Sequence, residues 1–195
     1  PVESWQRASD ALSVAVDRLA LGVEVAPNLA RATVAVAGRR ADGAWHIEVD
    51  EMREGIDWVA PYVGMLLARN PGVRAVAYDM GSPSKALGPM FDAARIRTVS
   101  PRVTDLGTAC STLLAGIVTG TIHHTHQGPL NAAARAAGKR RLGDTGLWVW
   151  SRSTARVDIT PLQAATLALW AAQEEHVRRP MHRRVDATGR RATVL

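Results

Sequence analysis

Cysteine is almost missing: Cys110 is the only one in 195 residues, so no intrachain disulfide and no thiolate zinc cage can form, and a reducing compartment is the natural home. Lysine is nearly absent as well, since Lys85 and Lys139 stand alone against 22 arginines. No apolar run approaches the ~20 residues that a membrane-spanning helix needs. The G-x-x-x-x-G-K-[ST] loop, the G-x-S-x-G elbow and the helical H-E-x-x-H are not found, which removes a P-loop ATPase, an α/β-hydrolase and a helical zinc protease. No secretion signal opens the chain, and Pro1 in place of methionine reads as the start of a piece of something longer.

What is present is ordinary for a globular protein, 47% hydrophobic and 22% charged residues, at a length that favours one core. The net charge of +6 is unevenly spread: residues 176–195 carry six arginines against Asp186, and the body is close to neutral. Arginine suits phosphate contact, although an Arg-heavy coding bias produces the same count.

Along the chain, residues 1–18 show no clear period and read as a lead-in. Leu21, Val23 and Val25 then alternate with Gly22, Glu24 and Ala26, a strand with one packed face and one open face, Glu24 on the open one. Strands over Ala32–Gly38 and around Trp45–Asp50 complete an antiparallel meander. A helix follows from Asp57 to the Asn70-Pro71-Gly72 stop, and Val73–Tyr78 reads as a buried strand ending in Asp79. Pro83 starts a helix to Ala94, a fifth strand is expected near Arg97–Val103, and Asp105–Val118 is helical. A short extended piece at 121–127, a helix over Pro129–Ala137, a hairpin over Lys139–Ser153 and a closing helix from Thr160-Pro161 finish the domain. The order predicts an α/β fold, a mixed sheet whose later strands run parallel. Residues 19–175 form the domain, and 176–195 read as a basic, flexible tail.

Three carboxylates occupy unusual places: Glu24 inside the first strand, Asp79 at the end of the fourth and Asp158 ahead of the closing helix. Charge among apolar strand residues costs desolvation energy unless a cation compensates it. Oxygen ligands from separate segments suit Mg²⁺ or Mn²⁺, and Gly22 and Ala26 beside Glu24 would leave room for a bulky substrate. Each acid has a structural alternative: Glu24 pairing with an arginine, Asp79 closing an Asx-turn before Gly81, Asp158 stabilising a helix start. Asp144 reads as a turn residue that could lie near a substrate. His123, His124 and His126 lack zinc spacing and read as an exposed or partner-facing strand. Trp148 and Trp150 read as hairpin packing. Arg135, Lys139, Arg140, Arg141, Arg152 and Arg156 form a cluster able to hold phosphates without reading bases.

The segments LALGVEVAPNLARATVAVAG, AVAYDMGSPS and VDITPLQAATLALW resemble the C-terminal nuclease domain of tailed-bacteriophage or prophage terminase large subunits. The HQGPLNAAARAAGKRRLGD and WVWSR stretches add to the likeness, which covers about residues 19–175. The resemblance implies an RNase H-like fold and a metal-dependent endonuclease that cuts concatemeric double-stranded viral DNA by two-metal-ion hydrolysis, with two Mg²⁺ or Mn²⁺ ions. Carried over by position, Glu24, Asp79 and Asp158 are its catalytic and metal-binding acids, with Asp144 a possible additional acid. Lys139, Arg140, Arg141, Arg152 and Arg156 are then the DNA grip. Glu24 departs from the usual Asp by one methylene, so metal spacing or preference differs. The implied partners are DNA, the terminase ATPase domain, the small terminase and the portal, in the host bacterial cytoplasm, and residues 1–18 would link to that ATPase. Two other classes stay open: a resolvase or hybrid nuclease, and a catalytically weak docking module of the packaging motor.

Overall fold

The computed structural model describes residues 2–152 and 157–174. Arg156 and the basic segment 176–195 lie outside the described residues.

Five strands form the main sheet: β1 (Asp17–Val25), β2 (Arg31–Arg39), β3 (Trp45–Glu54), β4 (Ala75–Tyr78) and β5 (Ile122–His124), in the spatial order β4-β1-β2-β3-β5. β1 to β3 are the antiparallel meander, with Glu24 opposite Thr33. β4 lies parallel to β1 and β5 parallel to β3. This is the expected mixed sheet, with one exception. The segment near 97–103 makes no strand, only an isolated bridge from Val99 to Ala77, because Pro101 soon follows and cannot donate to a ladder.

Helices cover both faces. On one side lie α2 (Val59–Arg69), a 3-10 turn (Pro83–Leu87) and α3 (Gly88–Ala93), packed on Leu21, Val23, Val25, Val34 and Val76. On the other lie α4 (Val103–Thr119), α5 (Gly128–Ala136) and α6 (Thr160–Gln173), packed on Ala20, Ala35, Ala37, Ile47 and Ala77. The alternation of small and β-branched residues in β1 therefore separates two buried faces. The open face expected for Glu24 is covered by α6, which lies so near β1 that a Cβ on Gly22 would collide with the Ala164 carbonyl oxygen. Gly22 serves close helix packing and leaves no substrate space there. α6 is buried along most of its length, which explains its weak amphipathic pattern: it is a central helix, with the sheet beneath and α4 and α5 around it.

The remaining elements are α1 (Val2–Arg7) and the hairpin β6 (Gly138–Arg141) and β7 (Trp148–Ser151), a separate two-stranded sheet. α1 is a short helix that puts Trp5 into the core, stacked on His124 at 4.1 Å between ring centroids. His124 is accordingly fully buried, its ring nitrogens facing the carbonyl oxygens of Trp5 and Thr125. Of the strand expected to be exposed or partner-facing, His124 is thus closed off by the N-terminal segment, whereas His123 is half-buried and His126 is exposed, its Nδ1 3.3 Å from Ser9 Oγ. No described helix is long and apolar enough to cross a membrane.

Candidate active site

Parallel pairing of β1 with β4 brings the C-terminal ends of both strands to the same edge of the sheet, with Val23 opposite Tyr78. Glu24 and Asp79, the next residue of each, border one narrow cleft. Leu106 and Cys110 of α4, Val149 and Trp150 of β7, and Gln163, Thr166 and Leu167 of α6 complete its walls.

Glu24 is 2% exposed, and the site supplies the polar partners that such burial requires. Ser82 Oγ and Ser84 Oγ each donate to Oε1 at 2.8 Å, and Arg152 Nη2 donates to the same oxygen at 2.5 Å. Ser84 is itself fully buried and accepts from the Val25 amide, so one side chain ties the acid to its own strand. Burial pushes the Glu24 carboxyl above its ordinary range; the Arg152 charge and the serine hydroxyls pull it back without cancelling the rise. Oε2 accepts no hydrogen bond from the described residues.

Asp79 is half-buried, and its Oδ1 accepts from the Gly81 amide at 2.7 Å, the Asx-turn open to it from sequence. Asp158 Oδ1 accepts from the Thr160 amide at 2.9 Å and so stabilises the start of α6. Thr160 Oγ1 in turn lies 2.9 Å from Thr33 Oγ1, directly across the ladder from Glu24. Asp158 does not border the cleft that Glu24 and Asp79 share. Among the described residues no three His, Cys, Asp or Glu side chains gather closely enough to hold one metal ion.

The basic residues divide. Arg140 and Arg141 are exposed on β6, and Lys139 Nζ stands 4.1 Å over the Trp148 ring, a cation held against an aromatic face. Trp148 and Trp150 pack edge to face at 4.7 Å, and Trp150 Nε1 donates to Thr166 Oγ1, anchoring the hairpin to α6. Arg152 turns inward, its Nε donating to Gln163 Oε1 at 2.7 Å while Nη2 reaches Glu24. Asp144 is exposed on the turn between Gly143 and Gly146, both at positive φ, away from the cleft. A larger cavity of about 290 Å³, around Trp5, Leu113 and Trp150, shares Trp150 with the cleft and is lined by no acid.

Ser82, Ser84 and Gln163 have no counterpart among the residues singled out from sequence. The signal available for the serines is their position on either side of Pro83, just after Asp79: a polar turn placed by the neighbouring parallel strand. For Gln163 there is none.

No protein-family model matches the chain. No curated protein matches it either. Among solved structures it is similar to the large terminase of bacteriophage HK97, with TM-score 0.74 and 15% identity over 88% of this chain. It spans only 43% of that protein. It is similar to the large terminase nuclease of thermophilic phage G20c with bound magnesium, with TM-score 0.56 and 18% identity over 77% of this chain and 79% of the other. The human cytomegalovirus terminase nuclease domain, Mn-soaked and inhibitor-bound, matches with TM-score 0.50 and 11% identity over 90% and 94% of the two chains. The chain therefore has the RNase H-like fold of large-terminase nuclease domains.

Proposed function

We propose that this chain is a metal-dependent endonuclease that cleaves double-stranded viral DNA during genome packaging in the host bacterial cytoplasm. The single observation that carries the reading is the meeting of Glu24 and Asp79 in one cleft, at the ends of adjacent parallel strands, in a fold shared with nuclease domains.

The donor set fits a hard divalent cation. Mg²⁺ takes oxygen ligands, keeps several of its waters and needs only one or two carboxylates from the protein, so Glu24 and Asp79 are a sufficient direct pair. Asp158 lies outside that cleft with Oδ1 on the Thr160 amide, so a second ion would need this carboxylate to be reached from the start of α6. When bound, the ions would supply an activated water and stabilise the leaving oxygen of the cleaved phosphodiester. The chain's own contribution is positional. Ser82 and Ser84 fix Glu24 through Oε1 and leave Oε2 for a ligand bond. The Asx-turn holds Asp79 at the cleft, and Leu106, Val149 and Leu167 limit water there. Lys139, Arg140 and Arg141 on the hairpin hold backbone phosphates without reading sequence. The ATPase domain, small terminase and portal are the partners of this reading.

Supercoiled plasmid incubated with Mg²⁺ or Mn²⁺ tests it: nicking and linearisation are expected, and no cutting with either ion under conditions where DNA is bound would reject it. Branched and RNA:DNA hybrid substrates in the same assay separate a resolvase or hybrid nuclease from a duplex endonuclease. The ion pair between Glu24 and Arg152 favours a second reading, a docking module whose acid is spent on structure. That module would show no stabilisation by divalent ions.

A further inference from the structure

Within the cleft the two carboxylates are treated unequally. Glu24 is bound by a guanidinium, whereas no cation pairs with Asp79 among the described residues. Among the described residues Arg152 is held by two side chains, Glu24 and Gln163, and its own side chain is 24% exposed where that of Glu24 is 3% exposed. One end of the pair is therefore locked into the sheet and the other is partly exposed.

We infer that Arg152 is a positioning residue that exchanges partners: it compensates Glu24 until a divalent ion arrives, then leaves the carboxylate and becomes available to a DNA phosphate. This rests on the nuclease reading above. Charge repulsion favours it. A divalent ion ligated by Glu24 Oε2 would stand within a few ångström of the guanidinium on Oε1, and like charges at such range in a poorly solvated cleft repel strongly. The guanidinium can move because it is partly exposed, and its planar fork matches a phosphate as well as a carboxylate. Glu24 cannot follow, since Ser82 and Ser84 hold it. Arg152 thereby lowers metal affinity in the absence of DNA and couples metal loading to DNA binding.

The test is Mn²⁺ binding to the DNA-free protein by calorimetry, with Mn²⁺-induced thermal stabilisation as a second readout. Arg152→Gln should bind Mn²⁺ about tenfold more tightly than wild type, a difference of about 1.4 kcal/mol, and gain more stability from the ion. Gln163→Leu, which loosens Arg152 without removing its charge, should shift affinity in the same direction and decides the matter if Arg152→Gln does not fold. A short duplex added with Ca²⁺ as the probe ion should tighten ion binding in wild type and not in Arg152→Gln, as reciprocal linkage demands. Equal or weaker Mn²⁺ affinity in folded variants, or equal tightening by DNA in both proteins, overturns the exchange. Asp79→Asn separates the two levels: if it weakens Mn²⁺ binding while Arg152→Gln has no effect, only the exchange fails. If Asp79→Asn changes nothing, or no variant binds the ion, the metal site itself fails and the exchange with it.

Discussion

Gly22 lies against the backbone of Ala164 with no space for a methyl group: a Cβ there would run into the Ala164 carbonyl oxygen and the Ala168 amide. This contact sets how deeply α6 sits on the sheet, and with it the position of Gln163 and Thr166 in the cleft next to Glu24. Backbone cannot rotate aside as a side chain can, so the helix as a whole must shift if Gly22 is enlarged.

Gly22→Ala is accordingly expected to cost about 3 kcal/mol, the upper part of the range for overpacking a core. Urea unfolding would show it as a lower midpoint with an unchanged slope.

Asp79→Asn should abolish Mn²⁺-dependent plasmid cutting and leave the fold intact. The amide oxygen of Asn can still accept from the Gly81 amide, so the turn survives while the ionised ligand is lost. Thermal unfolding within a few degrees of wild type, measured with the cutting assay, separates lost chemistry from lost structure.

Lys139, Arg140 and Arg141 changed together to Ala should weaken duplex binding in a salt-dependent way. Three lost phosphate contacts reduce the slope of log affinity against log salt by about 2.7. A filter-binding series in KCl reads the slope, and an unchanged value would remove the hairpin from the DNA path.

Arg40 clamps Asp10, at 2.7 Å, and Asp42, at 2.9 Å, joining the N-terminal segment to the β2-β3 turn. Hydrogen bonds from Arg40 hold both carboxyls below their ordinary 3.8. A lowered native pKa gives stability that is complete above the unfolded value and is lost as pH falls through the native one. Arg40→Met should therefore be less stable than wild type at neutral pH, and the gap should close below about pH 4. Thermal melts across that range measure the convergence.

Cys110 is 1% exposed, and burial raises its thiol to about 12. It should resist a thiol reagent such as iodoacetamide at neutral pH in the folded protein and react promptly in denaturant, because the thiolate is the reactive form. Mass spectrometry of the alkylated protein checks it.

Much of the fold is legible in local patterns. The period of two in β1, the turns at Pro27 and Asp42-Gly43, and the Thr160-Pro161 helix start all report backbone preferences that neighbours in sequence impose. The fourth-strand acid is readable for the same reason, as a carboxylate closing a β-branched apolar run. Apart from the strand expected near 97–103, what failed were inferences about surroundings. The face of β1 read as open is covered by α6, and the space read beside Gly22 is filled by it. Of the histidines read as an exposed or partner-facing strand, His124 lies under Trp5. Each error concerns a partner more than a hundred positions away, which no periodicity encodes.

Residue order by itself determined that a meander precedes alternating strands and helices, and that one acid lies inside the first strand and another closes the fourth, because strand period and helix starts are properties of adjacent residues. Tertiary structure alone decided that Arg152, 128 positions from Glu24, turns from the surface to that carboxylate. Parallel pairing of β1 with β4, and the seat of α6, create a desolvated pocket whose negative charge must be met by whichever cation the folded chain brings within reach.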